Sequence, residues 1–276
     1  MLKSINQWCF APGTPLEQVL AISKDAGYAA VELNLNGPGD VGFTMDTTAA
    51  EAEAFGRLAA GHGLKLRSLS TGLLWGSPLS SSDASVREQG RRVVSKQMEI
   101  AELLGIDTVL VVPGVVNRDT SYDQCYERSH KELQILVQEA ERRKVRIGVE
   151  NVWNKFLLSP LEMARYVDDL QSDYAGVYFD VGNILLYGFP EQWIRMLGSR
   201  IFKIHVKDFK TDVGNFNGFV SLLNGDVDWH EVRAALQEIG YTDTLTAELG
   251  LYKSDPLQMV YDTSRHMDII LGGSAK

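Results

Sequence analysis

The sequence predicts an α/β fold, a single closed (β/α)8 barrel spanning residues 1–276. Three observations point there. Eight short apolar runs alternate with eight helical segments, a pattern that demands a parallel sheet. A helix-glycine-strand junction recurs at Gly27, Gly63, Gly105 and Gly240, where a left-handed helix cap favours glycine. The first strand is followed by Cys9-Phe10-Ala11-Pro12-Gly13-Thr14, which lacks the glycine fingerprint of an open dinucleotide-binding sheet. A length of 276 residues is also typical of one such barrel.

The elements follow in order. Lys3 to Trp8 reads as the first strand, and residues 15–26 as a helix with Leu16, Val19, Leu20 and Ser23 on one face. Ala30 to Asn34 is the second strand. Thr47 or Thr48 caps a helix running to about His62. Leu64 to Ser70 is the third strand, and a Gly- and Ser-rich loop follows to Ser82. Asp83 caps a long helix ending at Leu104. Asp107 to Val112 is Val-rich without alternation, as a strand buried on both faces should be. Helices are expected over 121–143, 159–170, 191–197, 228–239 and 256–271, with strands five to eight between them.

Composition narrows the function. A formal charge of −9 without polybasic runs argues against a nucleic-acid partner. No apolar run approaches the ~18 residues of a membrane span. The first residues lead straight into a strand, so no signal peptide is expected. Cys9 and Cys125 are read as structural thiols of a reducing cytoplasm.

The second half carries the chemistry. Four apolar runs each end in one metal-competent side chain: Glu150, Asp180, His205 and Glu248. Alone, each has an ordinary structural reading as a solvated strand end, a turn residue or a hydrogen-bonded core histidine. Together they occupy the C-terminal ends of four consecutive strands, where such barrels place their active sites. The two-residue period turns Lys203, His205 and Lys207 inward on strand seven, and Glu150 and Glu248 inward on theirs. Hard carboxylates plus one imidazole suit one divalent ion such as Mn, Mg, Co or Zn.

At these residues the chain resembles the xylose isomerase-like TIM barrel superfamily, in its sugar phosphate isomerase/epimerase branch. Gly148-Val149-Glu150-Asn151, Phe179-Asp180-Val181-Gly182-Asn183, Ile204-His205-Val206-Lys207-Asp208 and Ala247-Glu248 carry the resemblance, supported by Ser70 to Trp75, Pro78-Leu79 and Asp83. Within the family, Asp-x-Gly-Asn and His-x-Lys-Asp look more like the hexulose-phosphate isomerase and epimerase members than the free-ketose tagatose 3-epimerases. In the free-ketose epimerases a His follows three residues after the metal Asp. Asn183 departs from that pattern, which counts against a free ketose. The resemblance implies a divalent ion, most often Mn, held by Glu150, Asp180, His205 and Glu248. It implies a keto sugar or sugar phosphate as substrate. Glu150 and Glu248 would take and return the proton beside the chelated carbonyl, through an enediolate, and swap roles with direction.

Further candidates for substrate contact are Lys207, Asn183, Glu32, Trp8, Trp75 and Trp153. Lys207 could instead pair with a carboxylate, and Glu32 could pair with Lys203 inside the barrel. His62, His130, His230 and His266 read as surface or packing residues. The loop from Phe209 to Asp226 is long enough to act as a lid. A homo-oligomer, dimer or tetramer, is expected. The main alternative is a metal-dependent lyase or dehydratase on a keto sugar or inosose, using the same enolate chemistry. An endonuclease IV-type phosphodiesterase would need more histidines and a basic groove. A non-catalytic binder need not keep both glutamates.

Overall fold

The computed structural model describes residues 1–273. Eight parallel strands close on themselves: β1 (Leu2–Asn6), β2 (Ala30–Asn36), β3 (Lys65–Thr71), β4 (Thr108–Val111), β5 (Arg146–Glu150), β6 (Ala175–Asp180), β7 (Ile201–Val206) and β8 (Thr244–Ala247). β1 pairs with both β2 and β8, and that double pairing completes the barrel. The outer helices are α1 (Leu16–Asp25), α2 (Ala49–Gly61), α3 (Ala84–Leu104), α4 (Tyr122–Arg143), α5 (Pro160–Asp168), α6 (Pro190–Leu197), α7 (Trp229–Glu238) and α8 (Pro256–Ile270).

Local signals act as the sequence predicts. Thr48 caps α2 reciprocally with Glu51, and the Asp83 side chain caps α3. Gly27, Gly63, Gly105 and Gly240 all have positive φ, the conformation that a β-carbon disfavours. β1 is shorter than expected. After Asn6 the chain enters a single 3-10 turn, Gln7–Cys9, so Trp8 lies beyond the strand. The Asn6 side-chain oxygen accepts from Trp8 N at 2.7 Å, offering the backbone a turn in place of the ladder.

The aliphatic core lies between strands and helices, from outward-facing residues such as Leu33, Leu69, Val109, Ile147, Val177, Ile204 and Leu245. The inside of the barrel is polar. At its base Lys203, 1% exposed, pairs with Asp107 at 2.8 Å and Asp243 at 2.6 Å, and Arg67 bridges the same two carboxylates. Above them lie Ser68, Tyr178, Glu32 and Asn6. Gly148 leaves room for Tyr178 to cross the interior, because a β-carbon there would sit 3.0 Å from Tyr178 Cβ.

Two register details set the mouth. Between β6 and β7 the pairing shifts by one residue after Val177, a local irregularity of the bulge type. The shift puts Asp180 directly opposite His205. After β7 the chain forms a two-stranded antiparallel ribbon, in which Phe209 pairs with Phe219 and Asp208 with Val220. The long loop is therefore ordered over this part. Asp208 and Asp226 pin it, accepting from Phe209, Val227, Trp229 Nε1 and Thr211.

Candidate metal and catalytic centre

Glu150, Asp180, His205 and Glu248 each offer one donor atom, and these atoms lie within 4.8 Å of one another. β5, β6 and β7 deliver the first three. Glu248 lies one residue past β8, anchored by its N–H donating to Val206 O at 3.1 Å.

The donor set fits a divalent ion, and the disposition of each atom shows why. Asp180 divides its carboxylate. Oδ1 accepts from Asn183 N at 2.8 Å, capping the short helix Val181–Ile184. Oδ2 is buried and accepts no hydrogen bond. His205 divides its ring. Nε2 lies 2.6 Å from Glu32 Oε1. Nδ1 lies 2.9 Å from Glu248 Oε2, but the angles are not those of a hydrogen bond, and both atoms are left without one. Three buried donors without a hydrogen bond, aimed at one another, are costly unless a cation joins all three, and the Lys207 ammonium pairs with the two carboxylate oxygens alone. With Nε2–H donating to Glu32, Nδ1 presents its lone pair to the cluster. A carboxylate behind a metal-binding histidine fixes ring and tautomer in this way. Tyr178 packs against the imidazole at 4.5 Å between ring centroids.

Charges bear out the crowding. Burial, and then Glu248, push the Glu150 carboxyl up to about 7. Burial also raises Asp180. For Glu248 the burial penalty is outweighed by Lys207 and His205, which hold it well below the usual carboxylate range. Lys207 Nζ lies 2.9 Å from Glu248 Oε2 and 3.1 Å from Asp180 Oδ2. Of the two expectations for Lys207, pairing with a carboxylate is thus the arrangement present, and the residue also lines the cavity.

Above the centre opens a cavity of about 910 Å3. Glu150, Glu248, Lys207, Asn183, Trp8, Trp75 and Trp153 line it. Asp180 and His205 are fully buried beneath its floor. Trp153 Nε1 donates to Asn183 O at 2.9 Å, and Asn183 Nδ2 donates to Asn151 O at 3.0 Å, so these residues brace one another. Asn151 joins the ends of β5 and β6, its amide exchanging two bonds of 2.8 Å with the Asp180 backbone.

Glu32 requires a correction. It was expected to touch substrate or to pair with Lys203. It is fully buried below His205 and bonds His205, Tyr178 and Asn6, while Lys203 takes Asp107 and Asp243. An inward glutamate one level below an inward histidine was the available signal. The choice between two basic partners on β7 needed the register. His62, His130, His230 and His266 lie outside the centre, and His130 stacks on Tyr126.

The model of the xylose isomerase-like TIM barrel family matches residues 20–268. The chain belongs to that family. Curated relatives include a protein of Escherichia coli K12 provisionally named an L-ribulose-5-phosphate 3-epimerase, 25% identical over 90% of this chain and 89% of its own. The L-ribulose-5-phosphate 3-epimerase of Salmonella heidelberg SL476 is 24% identical over 83% of this chain and 80% of its own. Among solved structures, a D-psicose 3-epimerase crystallised in the presence of D-fructose superposes with a TM-score of 0.81 at 18% identity, covering 99% of this chain and all of the other. That likeness supports the family's fold. No helix among the described residues is long and apolar enough to cross a membrane.

Proposed function

We propose that this protein is a divalent-metal-dependent epimerase or isomerase of a keto sugar or sugar phosphate. One observation carries the reading most directly: two glutamates on the wall of a cavity share a buried four-donor cluster with an aspartate and a histidine. The sugar epimerases among the 24–25% identical relatives support the same chemistry.

Glu150, Asp180, His205 and Glu248 would hold the ion. When bound, a divalent ion, of which Mn is our first choice, supplies Lewis-acid polarisation of the carbonyl and a template for the neighbouring hydroxyl. The remaining work falls to the chain. Glu150 takes the carbon-bound proton beside the carbonyl from one face of the sugar. Glu248 returns a proton from the other face, which inverts the centre, and the roles exchange in the reverse direction. Lys207 keeps a positive charge beside the oxygens that become negative in the enediolate. Glu32 orients His205 from below. Trp8, Trp75 and Trp153 shield the reacting carbons from water.

The test is solvent exchange. A metal-loaded preparation incubated with keto sugars in D2O should incorporate deuterium next to the carbonyl, followed by NMR. Glu150→Gln and Glu248→Gln should each slow that exchange by roughly 10²–10⁴-fold. Unchanged exchange in both variants would sink the two-base mechanism. Loss of water from the sugar would point to the lyase alternative, since epimerisation conserves mass.

We also place the protein in the cytoplasm, where the buried Cys9 and Cys125 stay thiols. We propose a homo-oligomer too. The exposed apolar residues Leu158, Leu161, Leu186, Tyr187, Phe189 and Met196 support it. Sedimentation equilibrium checks it.

A further inference from the structure

The mouth of the barrel is larger, more aromatic and less cationic than a small sugar phosphate requires. Its volume, about 910 Å3, is at the upper end of the ~300–1,000 Å3 of sites that enclose drug-sized ligands. A monosaccharide over the four donors leaves much of that space unfilled. Six aromatic side chains line it: Tyr252, which follows β8, and Trp8, Trp75, Trp153, Phe216 and Phe219. Strand order places the last five on opposing walls. Trp8 follows β1 and Trp153 follows β5, four strands away around the ring. Trp75 follows β3, whereas Phe216 and Phe219 follow β7, again four strands away.

Phe216 is the informative member. It is 77% exposed, yet it sits in the 3-10 turn Phe216–Gly218 that leads into the ribbon, 5.5 Å from the Phe219 ring centroid and 6.4 Å from that of Trp153. Trp153 is itself fixed by its bond to Asn183 and by edge contact with Phe209. A rigid aromatic surface facing a cavity suits the flat, C–H-rich face of a ring.

Charge removes the competing occupant. Among the described residues, the charged groups of the lining are Glu150, Glu248 and Lys207. Lys207 lies at the floor, beside Asp180, Glu248 and the reacting oxygens. No cation is left on the walls to receive a phosphate dianion, which is normally met by arginine, lysine or a helix N-terminus with charge-assisted bonds. Two wall glutamates would repel it further.

We propose that the substrate is an uncharged keto sugar carrying a second ring, a keto-glycoside. Its keto ring lies over Glu150 and Glu248, and its second ring stacks between the Trp153–Phe216 wall and the Trp8–Trp75 wall. This inference rests on the epimerase reading above. The reacting step is unchanged: the C–H bond beside the ketone breaks, its proton passes to a glutamate, its electron pair enters the enediolate, and a new C–H bond forms from the other glutamate.

The experiment compares three probes on the metal-loaded protein in D2O: the aryl keto-glycoside 4-nitrophenyl 3-keto-β-D-glucoside, the free ketoses D-fructose and D-psicose, and L-ribulose 5-phosphate. Deuterium wash-in is read by NMR above the enzyme-free rate. We expect kcat/KM for the aryl keto-glycoside to exceed both other classes by roughly tenfold or more. Phe216→Ala, at an exposed position that the fold tolerates, should lower kcat/KM for the keto-glycoside roughly tenfold more than for the free ketoses, chiefly through KM. Faster exchange of the sugar phosphate or of the free ketoses overturns this inference and leaves the epimerase reading standing. An equal response of all probes to Phe216→Ala also overturns it. No exchange with any probe overturns both.

Discussion

Glu32 Oε1 lies 2.6 Å from His205 Nε2, and both side chains are fully buried. The contact comes from β2 and β7, on different sides of the barrel, with the tyrosine of β6 pressed against the imidazole and bonded to the other Glu32 oxygen. It aims Nδ1 at the donor cluster without itself reaching the cavity.

Loss of that carboxylate should therefore weaken metal binding while sparing the fold. Glu32→Gln keeps the size and an acceptor but gives up the charge. We expect metal affinity to fall roughly 10–100-fold, measured by calorimetric titration of metal-free protein. Unaltered affinity would reduce Glu32 to a packing residue.

Metal removal should be visible in stability. The donors Asp180 Oδ2, His205 Nδ1 and Glu248 Oε2 are buried without hydrogen bonds, so a ligand that joins them binds the folded state selectively. At a free ion concentration of about 100 times Kd, stabilisation should reach about 2.7 kcal/mol. Melting with and without a chelator reads it, and an unchanged Tm across added Mn, Mg, Co and Zn would count against the site.

Gly182 should prove intolerant. A β-carbon there would lie 2.7 Å from Lys207 O, a backbone atom that cannot step aside. Gly182→Ala should cost about 1–3 kcal/mol by overpacking and displace Lys207 from Asp180. Denaturant unfolding measures the first effect and deuterium exchange kinetics the second. A variant with wild-type stability would refute the close approach.

The barrel base predicts an acid response. Burial raises Asp243, but Arg67 and Lys203 outweigh it and bring the carboxyl down to about 2. A depressed folded pKa stabilises the protein above the unfolded value of about 3.9, and that contribution is lost as pH falls through the folded value. Tm should thus drop between roughly pH 4 and pH 2, with a shallower drop in Asp243→Asn. Equal slopes in wild type and variant would exclude Asp243 as a source.

The barrel and its four donors were legible in the sequence because both rest on local rules. Alternation of strand and helix, positive-φ glycines after helices and the two-residue side-chain period act within a few residues of chain. They are enough to put Glu150, Asp180, His205 and Glu248 at one end and facing in. Trp8, Trp75, Trp153, Asn183 and Lys207 reach the cavity for the same reason, since residues just past strand ends meet at the mouth. Tertiary structure decided the rest. The slip after Val177, which sets Asp180 against His205, depends on two strands fitting side by side. The division of basic partners, His205 to Glu32 and Lys203 to Asp107 and Asp243, depends on height within the barrel. The ribbon that presents Phe216 depends on Asp208 and Asp226 pinning a loop that shows no strand periodicity. Each is a pairing between segments far apart in the chain, whose energy exists only once the barrel has closed.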